Sequence, residues 1–225
     1  MNSKSLYPKL STTAVLALVF AASAAEPIAP DLKMIGEGKN SKAYRVTTTE
    51  WVQYDGGKSA LKLKTAPGVD GFVAISGVLF TNGVIEFDAK GKSAPPQSNF
   101  VGIAFRVEDE KNYDAVYFRP FNFRAADPEK KSHSVQYVSN PDWPWPRLRS
   151  ERTGQFEKAI EPAPDGDAWF HARIVIKKPK LMVFVNGADK PSLEVNELSP
   201  RTGGLVGLWC NGFGSIAGLT ITPEP

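Results

Sequence analysis

The segments FVGIAFRV, residues 100–107, and YDAVYFR, residues 113–119, decide the fold class. In the first segment apolar side chains occupy every second position, and Arg106 belongs to the opposite face. In the second segment Tyr117 and Arg119 alternate with apolar neighbours in the same way. This period of two predicts two neighbouring β-strands whose arginines and tyrosines point away from the core.

Similar short runs extend on both sides of these segments and are separated by Gly, Pro and Asn. They lie at 60–64, 72–76, 83–89 and 133–138, and again at 169–177, 181–186, 205–210 and 215–222. Repeated short strands with such breaks are typical of a β-sandwich or barrel. The one candidate for a longer helix is 149–160. We therefore predict an all-β, jelly-roll β-sandwich of two antiparallel sheets over 44–225, with a long loop insertion at about 120–167.

The N-terminus has the three parts of an export signal. Two lysines precede an apolar run at 14–22, and small residues follow at 23–25. The run is shorter than the about 20 residues that cross a bilayer. We predict a signal peptide at 1–25, an N-terminal arm at 26–43, and a secreted protein, periplasmic or extracellular, without a membrane span.

Composition restricts the classes of partner. Without residues 1–25 the chain has 25 basic and 24 acidic residues, so it gives little support for a nucleic-acid or anionic-membrane partner. The single cysteine, Cys210, has no partner for an intramolecular disulfide. His133 and His171 are not at metal-ligand spacing, so no transition-metal cofactor is expected.

The last third of the chain carries a family resemblance, in the segments WFHARIVI (169–176), LMVFVNG (181–187) and GLVGLWCNG (204–212). Their order resembles the concanavalin A-like lectin/glucanase (laminin G-like) superfamily. Within it, the chain is similar to bacterial secreted 3-keto-disaccharide hydrolase-like domains, also described as family-16-glycoside-hydrolase-like. The resemblance covers about 51–222 and implies the sandwich fold with a carbohydrate ligand or substrate. Some members of the superfamily hold a structural calcium ion, which is left open here, and no other cofactor is expected.

Glu86 and Asp88 are weak candidates for catalysis. Retaining family-16 glucanases carry alternating acids on one strand, which act as nucleophile, supporting residue and general acid. The segment EFD at 86–88 matches the beginning of that pattern, but the second glutamate is absent. The standard mechanism is therefore not expected. The two acids are candidates for another hydrolysis, or they form the polar outer face of an amphipathic strand.

A set of polar and aromatic residues follows the two deciding segments and continues into the insertion. The candidate carbohydrate-binding residues are Arg106, Tyr117, Arg119, Asn122, Arg124, His133, Trp143 and Trp145. Arginine offers a rigid fork of donors that suits carboxylates or vicinal hydroxyls, and flat aromatic rings stack on the C–H bonds of sugars. Such a site would suit an acidic or oxidised sugar.

Two alternatives to this site stay open. The arginines could form structural ion pairs with Asp109, Asp114 or Asp127, and the tryptophans could pack the insertion against the sandwich. Our first expectation is an exported protein that binds a glycan on its concave face. The alternatives are a glycoside hydrolase of the 3-keto-disaccharide type and a protein-adhesion module. Whether Trp143 and Trp145 line a pocket or a flat patch discriminates between a small ligand and a protein partner.

Overall fold

The computed structural model of the chain describes residues 25–54, 56–94 and 99–224. The predicted signal peptide, 1–25, lies outside these residues except for Ala25. None of the helices in the described ranges is long and apolar enough to cross a membrane.

Two seven-stranded antiparallel sheets form the described part of the chain. Sheet I consists, in spatial order, of β1 (Ser41–Tyr44), β4 (Asp70–Phe80), β13 (Gly204–Asn211), β6 (Phe100–Val107), β7 (Tyr113–Phe118), β8 (Val135–Asn140) and β9 (Glu157–Lys158). Sheet II consists of β12 (Leu193–Asn196), β11 (Lys180–Val185), β10 (Phe170–Lys177), β5 (Gly83–Lys90), β14 (Phe213–Pro223), β3 (Ser59–Thr65) and β2 (Val46–Gln53). The predicted all-β sandwich is confirmed.

Short helices join the strands. They are α1 (Leu32–Gly36), a 3₁₀ turn (Pro120–Asn122), α2 (Pro128–Ser132) and α3 (Trp145–Glu151). The helix expected at 149–160 is therefore α3, which begins and ends earlier, and Glu157–Lys158 forms β9 instead. In the N-terminal arm, α1 buries Leu32 and Ile35 and β1 pairs with β4, so packing begins before Tyr44.

The core lies between the two sheets and fixes which way the strands of sheet I face. Phe118 of β7 contacts Phe87 and Phe170 of sheet II, with ring centroids 6.3 and 5.0 Å apart. Because side chains alternate along a strand, Tyr117 must face away from sheet II. Arg119, which follows β7, continues the same outer face.

A row across the outer face of sheet I is built around a glycine. Tyr117 of β7 and Trp209 of β13 both lie opposite Gly102 of β6. Because Gly102 has no side chain, the two rings lean over it and stack, with centroids 4.5 Å apart and planes 18° from parallel. A Cβ at Gly102 would collide with the carbonyl oxygen of Val116 and approach Tyr117 Cβ to 2.8 Å. The close approach of β7 therefore requires a glycine at this position.

The Asn186-Gly187 turn has a left-handed backbone, with φ values of 51° and 71°. It opens the connection from β11 to β12 rather than closing a two-residue hairpin, because β12 begins at Leu193.

Candidate functional site

The outer face of sheet I carries a cavity of about 490 Å³. Its floor comes from four strands of the sheet and consists of Asp70, Phe100, Tyr117, Trp209 and Asn211. Its wall comes mainly from the insertion and consists of Arg119, Phe121, Asn122, Lys130, His133, Trp145 and Arg149, with Pro67 and Gly68 on the opposite side. The insertion thus adds a wall to the sheet face and makes it a partly open cavity.

Aromatic rings account for much of the apolar lining. Phe100 packs edge-on against Tyr117 and Phe121, with centroid distances of 6.0 and 5.3 Å. Trp145 stands at the first position of α3, directly after Pro144, and is 44% exposed. Its ring is covered on one side by the Arg149 guanidinium, which lies 5.0 Å from the centroid. An exposed indole at the mouth of a cavity is suited to stack on a ring with apolar C–H faces.

The buried Arg119 holds the polar side of the cavity together. Its Nη2 donates to Gln136 Oε1 at 2.6 Å and to the Tyr117 hydroxyl at 3.2 Å, and its Nη1 donates to the His133 carbonyl at 2.8 Å. Tyr117 in turn donates to Gln136 Oε1 at 3.3 Å. Burial raises the pKa of the Tyr117 hydroxyl, which stays a neutral donor.

A buried carboxylate, Glu157 of β9, lies behind this network. Arg149 donates to both of its oxygens, Nε to Oε1 at 3.0 Å and Nη2 to Oε2 at 2.8 Å. Arg119 Nη1 lies 3.6 Å from Oε2. The guanidinium forks that could have bound a sugar carboxylate are thus aimed at acceptors of the protein itself, which weakens the case for an acidic sugar here.

His133 also faces Glu157, beside Arg149 and Arg119. Its Nδ1 lies 2.8 Å from Glu157 Oε2 without the angles of a hydrogen bond. Burial lowers the pKa of His133 and outweighs the opposing effect of Glu157, so the imidazole is neutral at neutral pH. A neutral imidazole can accept a hydrogen bond from a sugar hydroxyl or donate one to it.

Asp70 lies on the opposite side of the floor. Asn211 Nδ2 donates to its Oδ1 at 2.8 Å. Burial raises the pKa of the Asp70 carboxyl, and this outweighs the Asn211 hydrogen bond and the charges of Arg45 and Arg119. It is the one carboxyl among the described residues that line the cavity.

The structure brings five of the predicted binding residues together in this cavity: Tyr117, Arg119, Asn122, His133 and Trp145. The other three lie elsewhere. Arg124 is on the surface and pairs with Asp165 at 2.9 Å. Trp143 packs against the core, with the guanidinium groups of Arg147 and Arg152 at 4.1 and 5.2 Å from its ring centroid. The two tryptophans therefore divide between the predicted roles, since Trp145 lines the pocket and Trp143 anchors the insertion.

Arg106 lies away from the cavity, in the interior. The strand β6 is bulged at this point, because its residues 104–107 lie opposite only 205–207 of β13, and Arg106 has a φ of 49°. Its guanidinium is fully buried, forms an ion pair with Glu197 and lies 3.8 Å from Asp114. This is the structural ion-pair alternative, which simple alternation could not reveal because the irregular strand turns the side chain inward.

Glu86 and Asp88 lie on the outer face of sheet II, on the far side of the sandwich from the cavity. Asp88 Oδ1 is 3.0 Å from His171 Nδ1, and Asp88 Oδ2 pairs with Lys58. Although burial opposes it, these partners together lower the pKa of the Asp88 carboxyl, which keeps it ionised. Glu86 lies 3.6 Å from His171 Nε2. The arrangement is a chain of polar contacts on the surface, in keeping with the polar outer face considered from the sequence.

Sequence reasoning missed several cavity residues. Asp70 follows a turn and opens β4 without any local pattern that marks it. Trp209 is buried, which is typical of a packing residue, yet its ring also forms part of the floor. Lys130 and Arg149 lie on α2 and α3, which are too short to show the helical repeat of apolar residues in the sequence. In the described ranges, no group of three or more His, Cys, Asp or Glu side chains is placed to hold a metal ion.

Solved structures of very low sequence identity share the architecture. The carbohydrate-binding module CBM66 from Bacillus subtilis aligns with a TM-score of 0.55 at 12% identity, over 81% of this chain and 96% of that chain. A protein of unknown function with a galectin-like fold from Bacillus subtilis gives 0.52 at 12% identity, over 81% and 89%. The VIP36 exoplasmic/lumenal domain, bound to Ca²⁺ and Man3GlcNAc, gives 0.55 at 9% identity, over 84% and 85%. No protein-family profile and no curated protein matches the sequence. The chain thus has the concanavalin A-like β-sandwich fold.

Proposed function

We propose that the protein is an exported carbohydrate-binding protein that takes a glycan into the cavity on the outer face of sheet I, the face expected to be concave. The observation that carries the proposal is the exposed Trp145 ring at the mouth of a cavity whose floor is aromatic and whose wall is polar. Sugar-binding sites need such a mixture, because sugars present apolar C–H faces and hydroxyl edges to the protein.

The polar groups of the cavity suit hydroxyls better than charges. Arg119 and Arg149 are directed at Gln136 and Glu157, while Asn122, neutral His133 and Lys130 face the cavity. These groups supply both donors and acceptors. A sugar ring stacked on Trp145 with its hydroxyls toward Asn122 and His133 satisfies both parts of the lining.

The cavity favours binding over the two alternative functions. Standard glycoside hydrolysis uses two carboxyl groups that flank the scissile bond, whereas Asp70 is the one carboxyl among the described lining residues. A protein-adhesion module would use a broad apolar surface, whereas Trp145 lies at a cavity whose lining mixes aromatic and polar residues. Release of product from an oligosaccharide would overturn the choice of binding over hydrolysis.

The test is calorimetric titration of the full chain with a panel of neutral, uronic-acid and 3-keto oligosaccharides. Trp145→Ala should weaken binding of the sugar that binds best by about tenfold, the scale of a lost aromatic stacking contact. Trp51→Ala is the matched control, because Trp51 is 40% exposed but belongs to β2 of sheet II. Equal effects of the two substitutions, or no binding by any sugar, would refute the proposal.

Export rests on the signal-like sequence at 1–25. Expression of the full chain in a bacterium, followed by mass spectrometry of the periplasmic and secreted fractions, should detect a product cleaved near residue 25. An uncleaved chain confined to the cytoplasm would contradict this part of the proposal.

A further inference from the structure

A second cleft lies on the outer face of sheet II and carries a different chemistry. Its volume is about 600 Å³. Four lysines line it, Lys62, Lys64, Lys90 and Lys92, and its remaining lining includes Tyr54, Phe213 and Ser215. Because sheet II lies between this cleft and the core, the cleft is separate from the cavity on sheet I.

Strand register explains why the lysines converge. Ser215 of β14 lies opposite Lys62 of β3 on one side and opposite Lys90 of β5 on the other. The two lysines therefore share one face, two strand spacings or about 10 Å apart. Lys64 lies two positions beyond Lys62 on the same face, opposite Phe213.

The charge of the cleft is poorly compensated. Asp167 is its one acid among the described residues, and its Oδ1 already accepts from the backbone N–H of Ser93 at 3.1 Å. Lys62 lies 3.8 Å from Glu50, but no ion pair joins Lys64, Lys90 or Lys92 to another described residue. Like charges gathered on one face repel one another, so the arrangement favours an anionic ligand.

The aromatic groups restrict the class of anion. The Tyr54 hydroxyl and Ser215 Oγ form a hydrogen bond of 2.5 Å, which fixes the ring at the side of the cleft. Lys90 Nζ lies 5.4 Å from the centroid of that ring. Tyr54 and Phe213 thus give apolar ring surface between point charges. This combination fits a sugar chain, whose C–H faces contact rings and whose substituents carry the negative charge.

We propose that the lysine cleft, formed by Lys62, Lys64, Lys90 and Lys92, binds an anionic glycan through its carboxylate or sulfate groups. The site does not depend on the proposed cavity ligand, because its residues belong to β3, β5 and β14 and the segments that adjoin them. The protein would then hold sugars on both outer faces, one face through stacking and hydroxyl recognition and the other through charge.

Titration with oligogalacturonate, dextran sulfate and a neutral maltooligosaccharide tests the proposal and separates carboxylate from sulfate. The cleft variant carries Lys→Gln at the four cleft lysines. The control variant carries Lys→Gln at four other exposed lysines, Lys33, Lys111, Lys158 and Lys190, and has the same net charge. Thermal denaturation of both variants checks that they fold.

We expect the full chain to bind at least one anionic glycan with strong salt dependence, because exposed charges are screened by salt. The cleft variant should bind that glycan at least about tenfold more weakly than the full chain, because four exposed charge contacts that each contribute little are lost together. The affinity of the control variant should stay within about twofold of that of the full chain. Equal losses in both variants would overturn the proposal by showing that net charge alone acts.

Two further results would also overturn the proposal. A thymidine oligonucleotide that binds as tightly as the glycans would show that the cleft recognises phosphate chains. A loss of oligogalacturonate binding in Trp145→Ala would place the anionic sugar in the cavity on sheet I. Failure of the cavity proposal, by contrast, leaves the comparison of the two lysine variants unchanged.

Discussion

Glu157→Gln tests whether one buried carboxylate organises the cavity wall. The substitution removes the negative charge that faces Arg149 and Arg119, while it keeps the size of the side chain. Arg119 is almost fully buried and would lose its nearest counter-charge. Breaking a buried ion pair on one side costs about 3–5 kcal/mol. Because the Arg149 side chain is one-third exposed and can turn to solvent, we expect the lower end, about 3 kcal/mol.

Thermal and urea denaturation measure this loss. In a domain of this size 1 kcal/mol lowers Tm by about 2–4 °C, so Glu157→Gln should lower Tm by roughly 6–12 °C. The matched control is Glu161→Gln on the same insertion, because Glu161 forms an exposed ion pair with Lys131. Its substitution should lower the free energy of unfolding by less than about 1 kcal/mol. If both substitutions lowered Tm equally, the view of Glu157 as the organising charge would be refuted.

Three further predictions concern the floor of the cavity and the thiol beside it. Gly102→Ala should destabilise the protein by about 3 kcal/mol or more in urea denaturation, because the new Cβ meets the Val116 carbonyl, while Gly203→Ala, with its nearest contact at 3.1 Å, should cost far less. Asp70→Asn should stabilise the protein at neutral pH, since burial raises the Asp70 pKa and charging it opposes folding; denaturation at several pH values should show this gain shrinking as pH falls through the raised pKa. If the stability gained by Asp70→Asn increased as the pH fell, the raised pKa of Asp70 would be contradicted. Cys210 should resist a thiol reagent at pH 8 until the protein unfolds, because burial raises its pKa to about 12; rapid labelling of the native protein would contradict its placement.

The strands with clean alternation were predictable from sequence. Residues 100–107 form β6 with the predicted bounds, because a strand packed on one face repeats every two residues. The edge strand β2, Val46–Gln53, was missed, since its burial does not alternate and much of it is exposed. Sequence periodicity reports burial, so it reveals a strand only where burial differs between its two faces.

The site was predictable only in part for a related reason. Tyr117 and Arg119 follow from alternation on β7, and their place in the cavity agrees with the predicted outer face. The inward turn of Arg106 depends on a bulge in β6, where residues 104–107 lie opposite only 205–207 of β13, and no local pattern in the sequence of β6 marks this extra residue. Contacts between Glu157 and Arg119 join positions far apart in the chain, and no spacing rule connects them.

The stacked pair of Tyr117 and Trp209 gives the protein an optical property. Two rings in face-to-face contact transfer excitation between them, and Trp209 is shielded from water except through the cavity. A ligand in the cavity would contact Trp209 at the floor and Trp145 at the mouth, and would change the surroundings of both rings. Tryptophan emission should therefore report an occupied cavity without any attached dye.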